Sequence, residues 1–182
     1  MEKGKLQKLH KEVFFMMESI RLKIPNFYYG LRVKKDKRLK DGFLFHGNEN
    51  YISVPISLKG NSSSRTSAIW LCFEEDKNGV LMSSLKIYPA EMKSKQEHNV
   101  FLKLCKLFPH KQREETKEER YSVVISRNSG NIIADTMAFL DKYMEAIYKA
   151  LRSGGTSMVY SYEDFVASAK NHIRIGALKL TV

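Results

Sequence analysis

Apolar residues recur at three- and four-residue steps at the start of the chain: Leu6, Leu9, Val13, Met16, Met17, Ile20 and Ile24. That spacing predicts an amphipathic helix over 5–22. Pro25 stops it, because the residue before a proline is steered away from helical geometry. Phe27–Lys34 is rich in aromatic and β-branched residues and predicts a first strand. Gly42–His46 and Tyr51–Leu58 are short apolar runs on either side of Gly47-Asn-Glu-Asn50, a hairpin pattern. Gly60–Ser64 reads as a flexible loop. Ser67–Glu75 and Val80–Tyr88 flank Asp76-Lys-Asn-Gly79, the strongest turn signal in the chain, and predict a second hairpin. Its alternation suggests that Trp70, Cys72, Leu81 and Leu85 share a core face.

Pro89 reads as the opening of a helical stretch with an apolar stripe at Val100, Phe101, Leu104, Cys105 and Phe108, and Pro109 ends it. His110–Arg120 carries four basic and four acidic residues and no large apolar one, and reads as a solvated connector or a mobile helix end. Tyr121–Ser126 predicts another strand. After Asn128-Ser-Gly130, Ile133, Met137, Leu140, Met144, Ile147 and Leu151 mark one face of a long helix that Gly154-Gly155 terminates. A last short helix starts at Ser161, with Glu163 and Asp164 in its first turn, and Gly176–Val182 is a candidate edge strand. The order of elements predicts an α+β fold: an antiparallel β-sheet of about five strands with helices packed against it. Its 182 residues suit a single domain with a core at about 5–152, followed by a helical appendage at 153–182.

Composition narrows the function classes. Hydrophobic residues make up 43% of the chain, enough for a packed core. No apolar run approaches the roughly 20 residues of a membrane helix, and the start of the chain lacks the apolar stretch of a secretory signal. A cytoplasmic protein without a membrane partner is the expectation. Cys72 and Cys105 lie in apolar stretches and read as reduced core residues. The five histidines have no metal-ligand spacing, and neither phosphate-loop glycine motif occurs, so no cofactor is expected. A metal-dependent nuclease built on Asp76, Glu91 and Lys93 is an alternative on residue type alone. It is disfavoured because Asp76 falls in a turn and Glu91 at a helix start, where the groups would not converge on one ion. No catalytic residues are assigned.

Charge changes the picture most. Lys and Arg total 31 against 20 acidic residues, a net charge of +11. Residues 1–40 hold twelve basic and four acidic side chains, so +8 of the excess lies there. The densest stretch is Arg32-Val-Lys34-Lys35-Asp36-Lys37-Arg38-Leu-Lys40, and such a patch attracts a polyanion. Tyr28 and Tyr29 precede it closely, and aromatic rings beside cations can stack on unpaired bases. An acidic protein partner for the same basic face, with the chain as an adaptor, is the other expectation.

The layout also resembles the N-terminal DNA-binding domain of the McrB family of modification-dependent restriction proteins. The matching pieces are Pro25–Tyr29, Leu31-Arg-Val-Lys34, a Gly/Asn loop leading into Ser53-Val-Pro55, a strand around Ile69-Trp70, and Tyr121–Ser126 running into a helix over 131–152. They span roughly residues 20–150. The resemblance implies recognition of methylated DNA by flipping the modified cytosine into a pocket. It implies a reading loop at Asn48 and Asn50 and a pocket aromatic at Trp70. The family carries an aromatic residue where this chain has Asn48. The implied role is a non-catalytic reader in a restriction or antiviral defence system, alone or with other subunits of a defence complex.

Overall fold

Asp76 shows how local chemistry sets the architecture. Its carboxylate accepts from the N–H groups of Asn78 (2.8 Å) and Val80 (3.0 Å), and Gly79 takes the positive φ of 74° that closes the turn. The turn joins β3 (Ile69–Glu75) to β4 (Leu81–Ile87) as an antiparallel hairpin, with Leu71 opposite Leu85 and Phe73 opposite Ser83. In this computed structural model, which describes residues 3–58, 67–89, 92, 94–108, 112–114, 120–176 and 178, that hairpin is the centre of the sheet.

Among the described residues the sheet is antiparallel throughout and has six strands, in the order β1-β2-β3-β4-β6-β5. β1 is only His46–Gly47, β2 is Tyr51–Pro55, β5 is Gln112–Glu114 and β6 is Arg120–Arg127. A register shift at Ser83/Ser84 interrupts the β4–β6 ladder. Among the described residues five α-helices accompany it: α1 (Lys3–Lys23), α2 (Lys37–Lys40), α3 (Lys95–Leu107), α4 (Ile132–Arg152) and α5 (Tyr162–Arg174). The α+β architecture read from the sequence is what the chain adopts.

α4 packs on the sheet face that presents the buried Ile69, Leu71, Phe73, Leu85 and Ile87, and Thr136 on α4 donates to Ser83 Oγ at 2.8 Å. α1 and α3 lie against α4. Val13, Met17 and Ile20 carry the buried stripe of α1. Met158, Phe165 and Ala169 belong to the same core cluster, so the segment after 152 is part of the core rather than an appendage. Ser94 and Ser161 each form a reciprocal cap, with Glu97 and Asp164, at the starts of α3 and α5.

Several expectations need correction. Residues 27–35 form no strand. Their backbone is extended, but its polar groups are taken singly rather than by a ladder. Gly30 N–H donates to Pro55 O and Arg32 N–H to Leu44 O, while Leu31 N–H donates to Ser168 Oγ at 3.3 Å. Asn171 Nδ2 donates to Val33 O at 3.3 Å, so side chains of α5 do much of the work of a neighbouring strand. The run Gly42–His46 contributes only His46 to a strand. Trp70 and Cys72 do not share the face of Leu81 and Leu85, since alternate residues of β3 point to opposite faces and Leu71 and Phe73 hold the core side. α3 begins at Lys95 rather than at Pro89, because Ser94 supplies the cap. The Gly60–Ser64 loop, Glu91, Lys93, Pro109 and most of the proposed 176–182 edge lie outside the described residues.

Candidate nucleic-acid interface

The basic stretch does not stay linear. Asp36 caps the single turn α2, its side chain accepting from Arg38 N–H at 3.0 Å, and Asp41 N–H closes the turn on Lys37 O. Leu39 is buried and pins the turn to the body. Lys34, Lys35, Lys37 and Lys40 are left exposed around it.

These lysines meet side chains from both ends of the sequence. One cleft of about 700 Å³ is lined by Lys8 and Lys11 of α1, by Lys40 and Asp41, and by Ile175 and Gly176 after α5. A second, of about 360 Å³, is lined by Lys35, Asp36, Lys37 and Lys40 and by Asn171 and Arg174 of α5. The two adjoin, because Lys40 and Ile175 line both. Together they present Lys8, Lys11, Lys35, Lys37, Lys40 and Arg174 against Asp36 and Asp41. Asp36 is already engaged: Arg32 Nη2 donates to it at 2.6 Å. Burial works to raise the Asp36 pKa, but the Arg32 hydrogen bond and charge and the N–H groups of Arg38 and Leu39 outweigh it and hold it below the usual carboxylate value.

Two members of the expected patch are not part of this surface. Arg32 is only 9% exposed, held by Asp36 below the surface, and its own carbonyl accepts from His172 Nε2 at 2.9 Å. It orders the site from beneath. Arg38 donates to Gly47 O and pairs with Glu49 at 3.2 Å, so it anchors the β1–β2 hairpin to α2. Neither aromatic expected for stacking is open. Tyr29 is fully buried, its hydroxyl donating to Glu18 Oε1 at 2.7 Å, and Tyr28 packs between Tyr162 and Phe165. Burial, the Glu18 charge and the Glu18 hydrogen bond push the Tyr29 hydroxyl pKa well up. Both rings belong to the joint between the 27–35 segment and α5.

Three site residues were not singled out from the sequence: Lys8, Lys11 and Arg174. Lys8 and Lys11 fall on the polar side of the predicted first helix, and Arg174 is the basic residue in the last turn of α5, a common place for a cation. What brings them together is tertiary packing.

The expected base-reading elements lie on the hairpin edge and the far sheet face. Gly47 has φ 146°, and a Cβ there would meet Tyr51 O at 2.0 Å, so the hairpin requires glycine. Asn48 Oδ1 accepts from Asn50 N–H at 2.8 Å, which commits the Asn48 side chain to the turn. Asn50 is exposed, and its side chain makes no hydrogen bond among the described residues. Trp70 is half-buried; its Nε1–H donates to Ser67 O at 2.7 Å and its ring meets His46 edge-on at 5.6 Å. Beside it Lys86 and Glu74 pair at 2.7 Å. Lys86 lies opposite Trp70 and Glu74 opposite Met82, so the pair spans Cys72 and Ser84 between them.

The carboxylate of Asp76 is occupied by the turn and by Arg127, whose hydrogen bond is the main cause of its lowered pKa. Its partners in the nuclease alternative, Glu91 and Lys93, lie outside the described residues. No group of three or more His, Cys, Asp or Glu is placed to hold a metal among the described residues, and no described helix is long and apolar enough to cross a membrane. Comparison with known proteins gives no relative to set beside this geometry: no family model, no curated protein and no solved structure matches the chain.

Proposed function

We propose that this chain is a non-catalytic nucleic-acid-binding module, with DNA as its partner, that holds a phosphate backbone in the paired basic clefts between α1, α2 and α5. The observation that carries the reading is that six basic side chains from positions 8 to 174, of which Lys8 also pairs with Glu12, line one concave surface whose two carboxylates include one already neutralised. A solvated, solubilising charge has no reason to be concave or to draw on both ends of the sequence. A strand that carries one phosphate about every 3.4 Å of duplex axis needs such a track of cations, and releasing its counterions supplies the affinity.

The finer reading, supported by the resemblance to the McrB N-terminal domain, is a reader of modified DNA in a restriction or phage-defence system. Asn50 at the hairpin tip would contact base edges, because an amide can donate and accept together. The half-exposed Trp70 would offer a ring to an extruded base.

Fluorescence anisotropy with single-stranded, duplex and cytosine-methylated oligonucleotides tests both levels. The expected result is micromolar binding at moderate salt, and a tenfold or greater loss in Arg174→Glu, a residue that only the folded cleft adds to the basic stretch. Absence of binding at low salt removes nucleic acid from the reading and leaves the acidic-protein adaptor. Binding that Arg174→Glu leaves unchanged locates it outside the cleft.

A further inference from the structure

Three buried nitrogen atoms have no hydrogen-bond partner among the described residues: Nε2 of His10, Nε of Arg32 and Nδ1 of His172. They belong to α1, to the extended segment before α2, and to α5, the same elements that wall the basic clefts. The backbone ties them together. The peptide between Leu44 and Phe45 takes Arg32 N–H on its oxygen at 2.9 Å and donates its own N–H to His10 Nδ1 at 3.3 Å. The Arg32 carbonyl in turn accepts from His172. The Arg32 charge also lowers the His10 pKa, which places the guanidinium near that ring. Phe43 and Phe45 flank the His10 ring at 5.0 and 6.1 Å and close that side with apolar surface.

The backbone partners also fix the tautomers. A peptide N–H can only donate, so His10 Nδ1 is unprotonated and the ring proton sits on Nε2. A carbonyl can only accept, so His172 carries its proton on Nε2 and leaves a lone pair on Nδ1. Both rings are neutral: burial above all, then Arg32, lowers the His10 pKa to about 3, and burial lowers that of His172. The cluster therefore offers two N–H donors, from His10 and Arg32, and one acceptor, from His172.

That set discriminates among occupants. A metal ion is refused, because the free nitrogen of His10 bears a proton and Arg32 is a fixed cation. An anion would satisfy both donors but face the His172 lone pair. A water molecule accepts two hydrogen bonds and donates one to match, with three polar partners, the usual number for a buried water. We propose that one water molecule is bound between His10 Nε2, Arg32 Nε and His172 Nδ1, and that it joins α1, the 27–35 segment and α5.

The test uses the whole chain with ¹⁵N-labelled histidine. Long-range proton–nitrogen correlation spectra at neutral pH should show both rings as Nε2–H tautomers. The His10 Nε2 proton should give a cross-peak to water with the sign of a long-lived contact. Oxygen-17 relaxation dispersion, which counts long-lived internal waters, should find one fewer in His172→Phe than in the parent. A Nδ1–H tautomer on either ring, a His10 proton without a water contact, or an unchanged count overturns the proposal. A bromide anomalous signal between the three side chains in a crystal also overturns it, in favour of an anion. If His172→Phe fails to fold, the tautomers and the cross-peak of the parent decide alone.

Discussion

Replacing Lys35, Lys37 and Lys40 by Ala removes half of the cations in the paired clefts without touching the core, since all three are exposed and none makes a described ion pair. The consequence can be worked out. If all six cations contact phosphates, log Kd should change with log salt with a slope of about 5.4, from about 0.9 per contact on duplex DNA. The fourfold rise from about 50 to about 200 mM salt then weakens the parent by roughly 1,800-fold. With three contacts left the slope falls to about 2.7, and the same rise costs only about 40-fold. The slope is the better readout than affinity alone, because it counts phosphate contacts and is insensitive to lost apolar or base contacts. Anisotropy titrations of a labelled duplex at four or five salt concentrations would measure it. A parent slope near one, or a triple variant whose slope equals that of the parent, would refute the assignment of these clefts as the phosphate track.

Three other outcomes are expected. Asn50→Ala should cost about 1–3 kcal/mol of discrimination between bases, while Kd for non-specific duplex and the melting temperature stay near parental values; equal preference before and after substitution would remove this loop from base reading. Tyr29→Phe removes the hydrogen bond to Glu18, a carboxylate that keeps Arg21 as a partner, and should cost about 1–3 kcal/mol in urea unfolding with binding unaffected at low temperature. Stability should fall as pH drops below the ordinary imidazole value of 6.5, because the unfolded chain takes up a proton there and folded His10 does so only at about 3. By about pH 5 the loss from His10 alone is about 2 kcal/mol, with His172 acting in the same direction. Denaturant titrations between about pH 7 and pH 5 check this, and a flat profile would show that the two rings are not held neutral.

The features legible in the sequence are those that short-range chemistry decides. Asp76 and Gly79 specify their turn within four residues, and the apolar stripe of α4 matches its buried face at Leu140, Met144, Ile147 and Leu151. The 27–35 segment was not legible because its backbone is satisfied by Ser168, Asn171 and His172, more than 130 residues later, and no local pattern announces that a helix will replace a strand. Arg32 looks like its neighbours in a basic run, yet Asp36 and the α5 contacts draw it inward. Lys8 and Lys11 are visible as polar positions on a helix, but their approach to Arg174 is a property of how α1 and α5 pack. Charge density was thus readable, and the shape that gives it a purpose was not.

The walls of the clefts lie at positions as far apart as Lys8 and Arg174, and this governs when the surface can exist. During synthesis the basic run at 32–40 emerges long before α5, next to the RNA of the ribosome itself. At that stage it is a flexible string of cations with no concavity, able to make only loose, salt-labile encounters. The concave track is complete only when α5 docks. Docking covers the backbone of 31–33 and sinks Arg32 in the same step. Selective binding is therefore coupled to docking of α5, and a chain stalled before residue 160 would carry five of the six cations without the wall that makes the track concave.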